Sequence, residues 1–487
     1  MSWLSSLFGR TQEPATSDAP VLFTNSLSGK KEVFTPVKAG IATLYSCGPT
    51  VYSRAHIGNL RAYVFADLIA RVLAQAGYRV RRVINITDVG HLTDDADTGE
   101  DKMEKGARLE GLSAQDIAAR YTKLFVEDIR ALNIDADDIS FPRATDYIEE
   151  QIDLIKLLEA RGYTYRTSDG IYFDTSRFPN YGALDHGGAK LREEAFAEIG
   201  RRIAGNEEKK HPADFALWKF SPRGSKRQQE WHSPWGIGFP GWHVECSAMV
   251  RALLGQPIDI HTGGIDHVPV HHTNEMAQSE AAYDRQLARY WLHGAFLTMA
   301  DEKISKSRGD DIALSALLER GIEPQALRYL FLQAHYRSPL SFSWESLAAA
   351  ASALERLQRL AALVRAESKG HAKPSAWSRR MIALLRDDLA TPSALALLWE
   401  VLKDEDLSRE EQYAVLEAAE EVLGLGLLAE KAPAAVPAHI LALLQEREAA
   451  RAARDFAKAD ALRIHIEGSG YAVEDGPDGP IVTPRHG

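Results

Sequence analysis

Residues 41–61 read IATLYSCGPTVYSRAHIGNLR, and residues 62–86 continue as AYVFADLIARVLAQAGYRVRRVINI. The apolar run 41–46 predicts a buried strand. Ala62, Phe65, Leu68, Ile69, Val72 and Leu73 recur at helical spacing and predict a helix over 61–76, with Gly77 as its C-cap. Residues 79–86 (RVRRVINI) return as a strand. Strand, turn, helix and strand within about 45 residues form a βαβ unit, which implies a parallel sheet. His56-Ile57-Gly58-Asn59 falls at the turn into the helix. Free backbone N–H groups and the positive end of the helix dipole make that position a natural phosphate site. Gly58 removes a side chain so that a nucleotide can approach, and His56 can donate to a phosphate oxygen.

Working outward, 487 residues predict about three domains. Hydrophobic residues are 45% and charged residues 26%, which excludes collagen-like, mucin-like and globally disordered chains. No apolar run reaches the ~18 residues needed to span a bilayer. The formal net charge is −11, so no overall basic field attracts nucleic acid, and such a partner needs a local basic patch. Two cysteines, Cys47 and Cys246, are too few for a disulfide-stapled secreted protein. Residues 1–20 lack the charged n-region and long apolar core of a signal peptide and read as a flexible extension. A cytoplasmic location is expected.

The predicted organisation is α/β. Residues 21–145 form the first half of a Rossmann-type parallel-sheet domain, and residues 146–235 an insertion. The insertion starts with a helix and a hairpin on YTYRTSDGIYFDT (163–175) and becomes loop-rich over 180–235. Residues 236–300 form the second half, with a helix on HVECSAMVRALLG, a strand and loop on IDIHTGG, and a helix on HHTNEMAQSEAAY. Residues 301–345 hold the loop ADEKISKSRGDD and a stem-contact region, and 346–430 form an α-helical bundle. Residues 431–487 form a small mixed C-terminal domain, a long charged helix over 445–467 and a hairpin on EDGPDGPIV.

A second motif makes HIGN specific. Lys303-Ile304-Ser305-Lys306-Ser307 lies in ADEKISKSRGDD, where two lysines three apart with hydroxyls between them suit a loop that clamps a polyphosphate. The ordered pair resembles the HIGH and KMSKS signatures of class I aminoacyl-tRNA synthetases. Asn59 replaces the second histidine of HIGH, and Ile304 the methionine of KMSKS. The resemblance implies an ATP site at His56, Gly58, Asn59, Lys303, Ser305 and Lys306, with Mg2+ accompanying the nucleotide. It also implies catalysis by His56, Asn59, Lys303 and Lys306 in an in-line displacement.

Cys47 ends the strand that feeds HIGN, where ligands of an α/β sheet bind. Cys246 lies in GWHVECSAM. His271 and Glu275 are four apart and share a helix face. Two thiolates, an imidazole and a carboxylate suit zinc. His267 and His272 are alternatives, although on a regular helix His272 points about 100° away from His271.

CGPTVY, NITDV, GWHVECSAM, the HHxNE helix, KISKS and DFAKADALR together resemble the cysteinyl-tRNA synthetase family over about residues 21–484. In that family one zinc ion is held by residues matching Cys47, Cys246, His271 and Glu275, and it also binds the substrate thiolate. The position of Thr273 is often glutamate there and is not a ligand. The resemblance implies activation of L-cysteine by ATP and transfer to tRNA(Cys). It places Thr87 at the substrate amino group, Trp242 over the bound cysteine, and Gly48 and Asp266 in its pocket. Tyr45 flanks Cys47, and His261 and His267 serve adenylate binding or structure.

Between residues 354 and 386, Arg356, Arg359, Arg365, Lys369, Lys373, Arg379, Arg380 and Arg386 face two acids, for a net +6. The resemblance implies that this stretch meets tRNA and that the C-terminal module approaches the anticodon. A monomer without membrane contact is expected. The rival readings are an ATP-dependent ligase joining cysteine to an amino sugar and a non-catalytic zinc-stabilised nucleic-acid-binding protein. A zinc hydrolase lacks its HExxH.

Overall fold

The computed structural model describes residues 19–90, 101–184, 208–221, 227–299, 313–429, 438–469, 471–476 and 479–484. It divides into two compact units, residues 1–428 and 429–487. In the first, β1 (Leu22–Asn25) and β2 (Lys30–Val33) form an antiparallel pair. The strand β3 (Ile41–Ser46) is followed by helix α1 (Ile57–Gln75) and strand β4 (Arg79–Ile84). After α2 (Lys102–Glu110) and α3 (Ala114–Ala131) comes the short strand β5 (Ile139–Ser140).

The insertion holds α4 (Ile148–Ala160), β6 (Thr164–Arg166), β7 (Gly170–Phe173), β8 (Phe215–Phe220), β9 (Trp231–Ser233) and β10 (Gly236–Pro240). The chain then gives α5 (Trp242–Leu254), β11 (Ile258–Gly264), α6 (Thr273–Tyr283) and β12 (Ala288–Gly294).

Strands β12-β11-β3-β4-β5 lie side by side, all parallel. The connection from β3 runs to β4 on one side, while β11 returns on the other. The crevice at the C-terminal ends of β3 and β11 is therefore the switch point where α/β sheets bind ligands. The expected βαβ unit is present. His56 caps α1, accepting from the Gly58 amide, while Asn59 Oδ1 accepts from the His56 amide. The C-cap is Ala76, and Gly77, one residue beyond it at φ +90°, turns the chain out of the helix.

Within the stretch read as loop-rich, 180–235, the described residues include two strands, β8 and β9, while 185–207 and 222–226 lie outside the described residues. Strands β6-β7-β8-β10-β9 form a second, antiparallel sheet. The central strand FALWKF is buried on both faces over its first five residues, so it lacks the alternation that marks a half-buried strand. Phe173, Phe215, Leu217 and Trp218 pack with Ile155 and Leu158 of α4 into a separate core.

Downstream, β13 (Leu297–Met299) pairs in parallel with β14 (Leu340–Phe342), and α7 (Ser315–Glu319) and α8 (Pro324–Leu332) lie between them in sequence. The bundle is α9 (Trp344–Ser368), α10 (Ala376–Arg386), α11 (Thr391–Lys403) and α12 (Arg409–Leu423). Its buried leucines belong to one core with α1 and β3. In the second unit, α13 (Ala438–Ala452) and α14 (Phe456–Gly468) precede the antiparallel hairpin Tyr471–Gly476/Gly479–Pro484. The expected long helix is broken because Arg454 adopts φ +62° and Asp455 caps the next helix by accepting from the Lys458 amide. No helix among the described residues is long and apolar enough to cross a membrane.

One buried carboxylate joins these parts. Asp67 of α1 accepts from Arg71 Nε at 2.7 Å, Arg82 Nη1 of β4 at 3.2 Å and Arg328 Nη2 of α8 at 2.7 Å. Arg328, fully buried, also donates to Leu423 O at the end of α12 and to Leu132 O. Burial alone would raise the Asp67 pKa, but the three guanidiniums hold it below its ordinary value. Replacing Asp67 with Ala leaves buried arginines unpaired. The expected cost is about 3–5 kcal/mol, read as a lower denaturation midpoint, whereas a change on an exposed helix face should leave it within about 0.5 kcal/mol.

Candidate active site and metal centre

Cys47, Gly48, His56, Gly58, Asn59, Trp242 and Asp266 line one cavity of about 530 Å3 at the switch point. Seven of the residues singled out by sequence thus meet around a single volume. Lys303, Ser305 and Lys306 lie outside the described residues. Thr87 is not among the lining residues. It is buried, its hydroxyl bonded to Glu245 Oε2 at 3.2 Å and to Asn85 Nδ2 at 3.1 Å.

The end of the cavity at His56 is built by α1. Nδ1 of His56 accepts from the Gly58 amide at 3.1 Å, which leaves the proton of a neutral ring on Nε2, free to donate. Burial lowers the His56 pKa, so the ring is neutral at pH 7. A Cβ on Gly58 would stand 2.8 Å from His56 Cε1. This glycine therefore makes room for the imidazole as well as for a ligand.

Behind Cys47 lies a cluster of thiols, imidazoles and one carboxylate. The ligand atoms of Cys47, Cys246, His271 and Glu275 all fall within 4.8 Å of one another. Cys246, His271 and Glu275 are at most 2% exposed, and Cys47, at 9%, is the member that reaches the cavity. Glu275 Oε1 lies 2.9 Å from His271 Nε2 and 3.7 Å from Cys47 Sγ, and Oε2 lies 2.9 Å from His261 Nε2. Trp242 stands against His271 with ring centroids 4.3 Å apart.

His272 departs from the regular-helix expectation. Residues Val268–His272 form a π-helical turn ahead of α6. The wider turn brings adjacent histidines to the same carboxylate, so His272 Nε2 sits 4.0 Å from Glu275 Oε1 and 3.2 Å from Cys47 Sγ. Cys47, His261, His272 and Glu275 thus form a second donor group that shares two members with the first. A Cβ on Gly263 would approach His267 Nδ1 to 2.5 Å and His272 Cε1 to 2.7 Å, so the strand end must be glycine for the histidines to pack there.

The protons of this site stand where a cation would. Burial pushes the Cys47 thiol up, while the hydrogen bond from Cys47, helped by His271, brings Cys246 down to about 7. Against burial, Glu275 raises His271 to about 10, and His261 and His271 hold Glu275 well below the usual carboxylate range. Burial and neighbouring imidazoles lower His267 to about 4 and His293 to about 3. Two sulfurs, one imidazole and one carboxylate in a dry shell fit zinc by donor chemistry. The two-sulfur group fits better than the histidine-rich one, which has a single sulfur.

His243 and His293 escaped the sequence reading. Nδ1 of His243 lies 2.9 Å from Nδ1 of His271, and His293 Nε2 lies 2.7 Å from His272 Nδ1. Such partners orient metal-ligating rings. Their signals are weak but present, since His243 is three residues before Cys246 on one helix and His293 is the next-to-last residue of a strand of the parallel sheet.

Cys246→Ser and His271→Ala are each expected to lose stoichiometric zinc on dialysis, by elemental analysis, while Thr273→Ala retains it. Zinc retained in both of the first two variants would place the metal in the histidine-rich group instead.

Comparison with known proteins follows the same lines. A family model described as tRNA synthetases class I (C) catalytic domain matches residues 33–352, and one described as Cysteinyl-tRNA ligase anticodon binding domain matches residues 434–480. The chain is 51% identical to Cysteine–tRNA ligase 1 of Burkholderia lata, covering 94% of this chain and 96% of that protein. It is 40% identical to Cysteine–tRNA ligase of Thermus thermophilus, covering 94% and 98%. Among solved structures, Mycobacterium tuberculosis methionyl-tRNA synthetase in complex with methionyl-adenylate shares the fold. The TM-score is 0.54 at 17% identity, over 79% of this chain and 92% of that one.

Proposed function

The chain belongs to the cysteine–tRNA ligase family, and from that membership and the cavity we infer which of its residues carry the reaction. The enzyme activates L-cysteine with ATP, forming cysteinyl-adenylate and pyrophosphate. It then passes the cysteinyl group to the 3′ end of tRNA(Cys) and releases AMP. The amino-sugar ligase reading is not supported, since the relatives match along nearly their whole length and carry the tRNA ligase name.

The observation that carries the residue assignment is the position of Cys47. It belongs to the donor quartet and lines the same cavity as His56, Gly58 and Asn59. A cysteine whose thiol points to the quartet therefore extends its carboxylate toward the N-terminus of α1. Asp266, exposed on the cavity wall, suits the ammonium group, and Trp242 walls the side-chain end. Thr87 reaches that ammonium only with a rearrangement of its bonds to Glu245 and Asn85. Nε2–H of His56 and the positive end of α1 stabilise charge on the phosphates. Lys303 and Lys306 act on the same phosphates by family resemblance, with Mg2+ accompanying ATP.

When bound, zinc supplies a soft-leaning Lewis acid that favours a thiolate over an alcohol, a discrimination that a pocket shape alone achieves poorly between cysteine and serine. Glu275, whose oxygens are shared with His261 and His271, is the ligand best placed to be weak.

For tRNA, the bundle offers exposed Arg356, Arg359, Lys369 and Arg380. Arg365 and Arg386 are already bonded to Leu428 O and Ala19 O, and Lys373 pairs with Glu411. The C-terminal module is the anticodon-proximal part, and the enzyme acts as a cytoplasmic monomer, where its two free thiols stay reduced.

His56→Ala and Lys306→Ala are each expected to slow cysteine-dependent ATP–pyrophosphate exchange by about 10²–10³-fold while cysteine affinity changes little. Unchanged exchange in Lys306→Ala removes it from catalysis. On cysteine binding, X-ray absorption at the zinc edge should gain a sulfur scatterer, and serine should add none. An unchanged sulfur count would exclude thiolate recognition by the metal.

A further inference from the structure

Arg61 follows HIGNL directly and is 6% exposed, yet it lines the cavity. Among the described residues its guanidinium donates only to backbone carbonyls. Nη1 reaches Ala295 O at 2.9 Å and Phe296 O at 2.7 Å, and Nη2 reaches Ser338 O at 2.7 Å and His335 O at 3.4 Å. No carboxylate among the described residues pairs with it. Burial brings its pKa down to about 10, so it remains a cation at pH 7. A buried cation without a counter-ion is costly, and a plain structural tie between two segments does not require one.

What it holds explains the choice. The Ala295–Phe296 turn leads from β12 into β13, and the 335–338 loop leads from α8 into β14. Ala295 N donates to Tyr336 O at 2.8 Å, and Leu340 N donates to Phe296 O at 3.1 Å. Tyr336 in turn stacks on Phe65 of α1, centroids 4.3 Å apart. Ala295, Phe296 and Leu297 all line the cavity. A Cβ on Gly58 would stand 3.9 Å from Leu297 Cβ, so this wall faces the glycine of HIGN directly. KISKS begins four residues after Met299, and Ala313, beyond that segment, bridges back to His56.

We propose that Arg61 is a positioning residue for the nucleotide: it locks the Ala295–Leu297 wall against the first turn of α1, so that the surface opposite Gly58 keeps its register with HIGN. The planar guanidinium spans two segments with directed N–H donors, which the single ammonium of a lysine cannot do. None of the four carbonyls that Arg61 holds belongs to a residue at the metal-proximal end of the cavity, Cys47 or Trp242. The inference rests on reading this cavity as the ATP and cysteine site.

The test uses the full chain with zinc bound. Calorimetric titration with ATP and cysteine-dependent pyrophosphate exchange are measured for wild type, Arg61→Lys and Phe296→Ala. In both variants the Kd and KM for ATP are expected to rise about tenfold, with KM for cysteine within about twofold of wild type and zinc content unchanged. A parallel rise in KM for cysteine, or an unchanged Kd for ATP in either variant, overturns the proposal. Should Arg61→Lys fail to fold, Arg61→Gln takes its place under the same criteria, because Phe296→Ala keeps the main-chain carbonyl that Arg61 holds and tests only whether the wall touches the nucleotide. A wild type that binds ATP but shows no cysteine-dependent exchange refutes the activity reading, while the ATP titrations still decide the role of Arg61.

Discussion

A single buried carboxylate, Asp67, fixes the helix on which the active site is hung. It sits in α1, ten residues after the Ile57 that opens the helix, and gathers guanidiniums from α1, β4 and α8. Through Arg328 the same cluster reaches the end of α12, where unsatisfied helix carbonyls welcome a cation. The orientation of α1 decides where its N-terminus points, and hence where a phosphate is stabilised. The bundle that completes this anchor also carries exposed Arg356, Arg359, Lys369 and Arg380.

The chemistry at the other end of the cavity follows from dryness. Glu275 has no water-facing oxygen, and both of its oxygens are engaged by imidazoles. Without a metal, the charge of Glu275 keeps a proton on His271, while the hydrogen bond from Cys47, helped by His271, draws Cys246 toward ionisation. A divalent ion can replace those protons, because the donors are already converged and surrounded by rings that fix their direction. Among the four donors, Cys47 is the one that lines the cavity.

Much of this was legible in the linear chain. The strand 41–46 and the helix beginning near HIGN follow from apolar spacing, and Gly77 closes the helix as its chemistry dictates. The quartet Cys47, Cys246, His271 and Glu275 was readable as residue types suited to one metal. The antiparallel sheet of the insertion was not legible, because FALWKF is buried on both faces and so shows no alternation. Nor was the break before Asp455, where a non-glycine residue takes a left-handed conformation inside a helix-forming sequence.

By itself, then, the sequence determined the βαβ start of the fold and the donor types that converge beside Cys47. Each of these rests on local periodicity or on the intrinsic chemistry of a side chain. Only the tertiary structure decided which histidines converge, because a π-helical turn at Val268–His272 overrides the 100° step that would separate His271 from His272. It also decided that Thr87 turns to Glu245 and that Arg61 spends its charge on carbonyls of two distant loops. These outcomes depend on which backbone segments the sheet brings together, and no spacing along the chain encodes them.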